Sequence, residues 1–134
     1  MIFAEIFKQD DGKIRGFKIN GHSNTAPKGF DIYCAGISAL SQAAFLCIMN
    51  HLHREITGES ADGHLVLKLK QPADDLTEAA FQTMLIGMRE IEKIAPQAFK
   101  LKITSDSETK DFSVPSASAQ ITLMSNFGFP ENDS

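Results

Sequence analysis

The chain has 134 residues, 43% hydrophobic and 22% charged, the size and balance of one soluble domain with a single core rather than of a disordered or fibrous chain. Thirteen basic against seventeen acidic side chains leave a formal charge of −4, the wrong sign for non-specific nucleic-acid binding and too small to name a partner. No run of about 18 apolar residues is free of strongly polar ones, and the N-terminus lacks the basic start and apolar centre of a signal peptide; a cytoplasmic protein without membrane contact is expected.

Residues Ile2 to Phe7 alternate as a strand, and Gln9-Asp10-Asp11-Gly12 carries the Asp-Gly signal of a tight hairpin. A second strand follows from Lys13 to about Gly21, with Gly16 marking a bulge. Ser23 to Phe30 fits no periodic template and reads as a loop. Asp31 is a good N-cap for a long helix from Ile32 to Ile56, closed by Gly58. Its stripe of Ile37, Leu40, Ala44, Ile48 and Leu52 is joined by Phe45, Leu46 and Met49, so two of its sides need cover, from this chain or from a second subunit.

Gly63 to Lys70 alternates as a third strand, with Leu65, Leu67 and Leu69 inward and Val66, Lys68 and Lys70 outward, and Pro72 stops it. Asp74 or Asp75 caps a second helix through about Ala95, its stripe being Leu76, Ala80, Met84, Met88 and Ile91. A fourth strand follows with Phe99, Leu101 and Ile103 inward. The expected fold is α+β, a mixed four-stranded sheet covered by two helices, in the order strand-strand-helix-strand-helix-strand. Residues 1–104 form the domain; residues 105–134 form a tail, a linker and a short apolar segment from Ala119 to Phe129.

With Asp31 as N-cap, Cys34 stands in the first turn of the helix, where unpaired N–H groups and the helix dipole favour a thiolate. His22, at the far side of the loop, is placed to serve as its base and later as acid. Taken alone, a helix-start cysteine and a strand-end histidine are ordinary structural residues, and Asp31 needs no role beyond capping. Ser38 lies one turn after Cys34, within reach of the site or of the Cys34 carbonyl. Cys47 reads as a small core residue, His51, His53 and Arg54 as charge near a helix C-terminus, and His64 as surface. Only Cys47 and His51 have the i, i+4 spacing that could share a metal, no third ligand is apparent, and no cofactor is expected.

Gly21-His22, a glycine-containing loop and Asp31-Ile32-Tyr33-Cys34-Ala35-Gly36-Ile37-Ser38-Ala39 together resemble the signature of the ribosomal-processing cysteine protease family of Firmicutes and related bacteria. The resemblance spans roughly residues 1 to 104 and departs from the usual pattern at Tyr33 and Ser23. It implies a cytoplasmic, homodimeric cysteine endopeptidase that removes a short N-terminal extension from a large-subunit ribosomal protein. On that pattern His22 matches the catalytic histidine and Cys34 the nucleophile, while Gly21, Asp31 and Ser38 fall on supporting motif positions.

Two other readings stay open at the level of sequence. One is a thiol redox protein using Cys34, which lacks a Cys-x-x-Cys pair. The other is a non-catalytic ribosome-assembly factor that binds the same precursor without cutting it. A further expectation concerns the tail: Leu123 to Phe129, apolar and aromatic, would occupy the substrate groove.

Overall fold

The computed structural model describes residues 1–21, 31–61 and 63–105, Asp31 by its backbone only. These residues run in the order β1 (Ile2–Lys8), β2 (Ile14–Asn20), α1 (Asp31–Leu46), β3 (Ile56–Ala61), β4 (His64–Leu69), α2 (Asp75–Ile94) and β5 (Phe99–Ser105). The sheet therefore has five strands rather than four, in the spatial order β3-β4-β2-β1-β5. It is mixed, as expected: β5 runs parallel to β1, and every other pairing is antiparallel.

The extra strand is the part of the chain assigned to the end of the first helix. After Leu46 the helix widens into a π turn, Cys47–His51, in which the Leu52 N–H reaches the Cys47 carbonyl at 2.9 Å. His53 then takes a φ of 55° and the Arg54 N–H returns to the Ile48 carbonyl at 3.0 Å. A left-handed residue just past a helix usually is glycine or asparagine. Here a histidine takes that conformation, and Ile56 opens a strand instead of closing a helix. Gly58, expected as the helix stop, lies within β3, 3.6 Å in ideal Cβ distance from the Phe45 ring. β3 pairs antiparallel with β4, Ala61 opposite His64, and Gly63, just ahead of β4, stands at a φ of 72°.

The first hairpin holds to expectation. β1 and β2 are joined through Gln9 to Lys13, with the Gly12 N–H on the Gln9 carbonyl at 2.9 Å. The register slips between Phe7, opposite Gly16, and Lys8, opposite Ile14, leaving Arg15 as the extra residue of a bulge beside Gly16.

Both helices lie over one face of the sheet. Ile2, Ala4, Ile6, Phe17, Ile19, Leu65, Leu67, Leu69 and Phe99 meet Ile37, Ala44, Phe45 and Ile48 of α1 and its extension and Phe81, Met84, Leu85 and Met88 of α2 in one buried cluster. Phe17 and Phe81 pack edge to face, centroids 6.1 Å apart at 79°. The α2 stripe is turned by about one residue from expectation: Leu76 is exposed, and Phe81 and Leu85 carry the contact. On β5, Phe99 is buried, whereas Ile103, expected inward, keeps 40% of its surface exposed. Val66, expected outward, is buried although it faces away from the helices.

The second side of α1 is covered from within the chain. An added Cβ on Gly87 of α2 would stand 2.8 Å from Leu40 Cδ2, and one on Gly36 would stand 3.0 Å from Ile91 Cδ1, so the glycines let the helices approach closely. Ile32–His51 is long and apolar enough by composition to cross a membrane, as core helices of soluble proteins often are. Here the sheet and α2 take two of its sides, while Ile32, Ala35, Ala39 and Ala43 stay exposed.

α2 starts where Asp74 places it. The Asp74 carboxylate accepts the Leu76 and Thr77 N–H groups, both at 3.0 Å, and the Thr77 hydroxyl accepts the Asp74 N–H at 2.9 Å. Glu78 then accepts the Ile14 N–H at 2.7 Å, and Glu92 accepts the Leu101 N–H at 2.8 Å, tying the helix to β2 and to the edge strand β5.

Candidate active site

Gly21 closes β2 at a φ of 130°, a conformation that residues with a Cβ rarely adopt. An added Cβ there would lie 2.5 Å from the Met1 carbonyl oxygen and 2.7 Å from Ile2 Cα. The Gly21 N–H bonds the Gly63 carbonyl at 3.0 Å, which anchors the strand end to the β3–β4 hairpin. The motif glycine is thus a backbone requirement at the residue immediately before His22. His22 itself, the loop Ser23 to Phe30 and the tail from residue 106 onward lie outside the described residues.

α1 begins at Asp31, so Asp31 is the first helical residue rather than the cap ahead of it. Cys34 consequently stands at the fourth helical position, still in the first turn, where the dipole favours negative charge. Cys34 forms no disulfide and is packed into the core cluster with 4% of its surface exposed.

Ser38, one turn further, is buried, and its carbonyl accepts the Ser41 hydroxyl at 3.1 Å. Cys34, Ser38 and Gln42 recur every four residues along one side of α1, and all three are buried. Gln42 Nε2 has no hydrogen-bond partner, a feature the sequence did not signal, since a glutamine in an apolar helix reads as its solvent-facing residue. Cys47 is half-buried in the π turn rather than deep in the core. It follows Cys34 by thirteen positions of continuous helix, about 20 Å at about 1.5 Å per residue, which rules out a disulfide between them in this conformation.

The remaining candidates fall elsewhere. His64, read as a plain surface residue, is half-buried; its Nδ1 is hydrogen-bonded to Asn20 Oδ1, and its Nε2 lies 3.6 Å from Glu59. The cross-strand pairing of Asn20 with His64 creates this contact, and no periodicity in a single strand reveals it. Among the described residues no group of three or more His, Cys, Asp or Glu side chains is placed to hold a metal. A cavity of about 240 Å³ near Arg54, Asp74 and Thr77 lies at the opposite end of the first helix from Cys34, and the Arg54–Asp74 ion pair, 2.8 Å, closes one side of it.

A buried thiol in the first turn of a helix packed on a mixed sheet fits the class of cysteine-nucleophile proteins. The family described as cysteine protease Prp matches residues 1–100. The chain belongs to that family.

Among its relatives is the ribosomal processing cysteine protease Prp of Staphylococcus aureus, 28% identical over 95 residues that make up 69% of this chain and 90% of the relative. Two solved structures of the essential S. aureus ribosomal processing protease Prp are similar to it, each spanning 78% of this chain and all of theirs. One is a complex with a covalently linked product peptide, at 26% identity and a TM-score of 0.70. The other holds a substrate peptide, at 25% identity and a TM-score of 0.72.

Proposed function

We propose that this chain is a cytoplasmic, homodimeric cysteine endopeptidase that removes an N-terminal extension from a large-subunit ribosomal protein, with Cys34 as nucleophile and His22 as its general base and acid. The observation that carries this reading is the position of Cys34 in the first turn of α1, in a chain whose first 100 residues fit a cysteine protease family. Solved relatives that hold a substrate peptide and a covalently linked product peptide support peptide bond cleavage as the reaction.

In this reaction His22 takes the proton from Cys34, and the sulfur attacks the scissile carbonyl. The tetrahedral oxyanion draws on the N–H groups at the start of α1. His22 then gives its proton to the leaving amine, which departs with the new N-terminus, and water hydrolyses the thioester and restores the thiol. Burial raises the cost of the thiolate while the start of the helix lowers it. Gly21 fixes the backbone just before His22, and Asp31 and Ser38 hold supporting positions of the motif.

The test uses a peptide spanning a candidate ribosomal-protein extension. Wild-type protein cleaves it, and Cys34→Ala does not while keeping the wild-type circular dichroism spectrum. Cleavage by Cys34→Ala would refute the nucleophile.

A further inference from the structure

The helices cover one face of the sheet, and the other face is built from alternate residues: Phe3, Glu5 and Phe7 of β1, Lys18 of β2, Val66 and Lys68 of β4, and Lys100, Lys102 and Thr104 of β5. Among the described residues no helix lies over it. Phe3 behaves accordingly, with 53% of its surface exposed. Phe7, the same residue type on the same strand and face, keeps only 2%. Val66 at 4% and Thr104 at 7% are equally shut off from water. Neighbouring strands shield the flanks of a side chain on a sheet, yet its outer end stays wet unless a further layer lies on it.

We propose that the apolar segment Ala119 to Phe129 of this chain is that layer, packed on the helix-free face over Phe7, Val66 and Thr104. The chain leaves β5 at Ser105, which stands in register with Lys8, next to Phe7, so the tail begins beside the buried patch. The thirteen residues from Asp106 to Ser118 reach about 40 Å when extended at about 3.3 Å each. A five-stranded sheet is only about 19 Å wide at about 4.8 Å per strand spacing, so the segment can lie anywhere across it.

Charge points the same way. Asp106, Glu108, Asp111, Glu131 and Asp133 against Lys110 give the tail a net −4, the formal charge of the entire chain, so the rest is neutral overall. The face it would cover carries Lys18, Lys68, Lys100 and Lys102 against Glu5 and Glu59, a local excess of positive charge. Ile121, Leu123, Met124, Phe127 and Phe129 supply the apolar side chains. This places the tail on the sheet rather than in the substrate groove.

The test is methyl NMR on the full chain. Nuclear Overhauser contacts from the Val66 methyls to the rings of Phe127 and Phe129, absent from an isotope-filtered mixture of labelled and unlabelled protein, support the proposal. Contacts seen only in the mixture identify a second copy as the occupant and overturn it, as does their complete absence. In the full-length variant Leu123→Ser, Phe127→Ser, Phe129→Ser those contacts are lost and the Val66 and Thr104 methyl signals shift. Unchanged signals for Val66 and Thr104 would equally refute it.

Discussion

Cys34 and Gly21 put different demands on substitution. Removing Sγ from a buried site leaves a small cavity, a cost of about 1 kcal/mol on the usual scale for such truncations, so Cys34→Ala folds and serves as a clean inactive control. Gly21→Ala is harsher, because the new Cβ meets the Met1 carbonyl and the φ of 130° is strained for any other residue, at about 1–3 kcal/mol for the strain alone. Chemical denaturation of Gly21→Ala is expected to show that loss together with reduced cleavage, since the distortion falls on the residue before His22. Wild-type stability and activity would contradict the role given to this glycine. The paired Gly-His and Asp-Ile-Tyr-Cys motifs were legible in the sequence. The burial of Cys34 and the unpartnered Gln42 were not, because helical spacing tells which residues share a side and not what lies against it.

Among the elements, α2 was read well and α1 was read too long, for a physical reason. Asp74 announces α2 by its side chain, whereas α1 ends through a π turn and a left-handed His53, neither of which leaves a glycine or proline in the sequence. A helix running to Ile56 and closed by Gly58 leaves no room for β3, so that strand went unseen. The capping of α2 makes stability depend on pH. The Thr77 N–H chiefly, with the Arg54 guanidinium adding, holds the Asp74 carboxyl below the usual carboxylate range, although partial desolvation works against them. A carboxylate with a lowered folded-state pKa stabilises the fold above its ordinary pKa, and that contribution is lost as pH falls through the folded value. Asp74→Asn therefore lowers the thermal midpoint near neutral pH and flattens its decline with acid; parallel pH profiles for variant and wild type would refute this. The close approach of α1 and α2 is tested by Gly87→Leu, where the side chain must displace Leu40. Overpacking of this kind costs about 1–3 kcal/mol, and an unchanged urea midpoint would mean that the helices separate freely.

At the scale of the whole molecule, the described residues form an α+β domain whose sheet buries one face under two helices, with the thiol in the first turn of α1. Sequence reading reached the class, the mixed sheet and the two helices, and missed one strand and hence the strand order. The over-apolar surface of α1, one sequence-level reason to expect a second subunit, is largely taken up by α2, so dimerisation rests on the family resemblance. Light scattering coupled to size exclusion is expected to give twice the monomer mass; a monomer at assay concentration would remove the dimer from the account. The central claim concerns the reaction, and mass spectrometry tests it most directly. Precursors of large-subunit ribosomal proteins with their N-terminal extensions are incubated with wild-type and with Cys34→Ala protein, and the products are weighed. One precursor shortened at a single bond by the wild type and left whole by Cys34→Ala is the result expected; no shortened precursor, or equal shortening by both proteins, would contradict it.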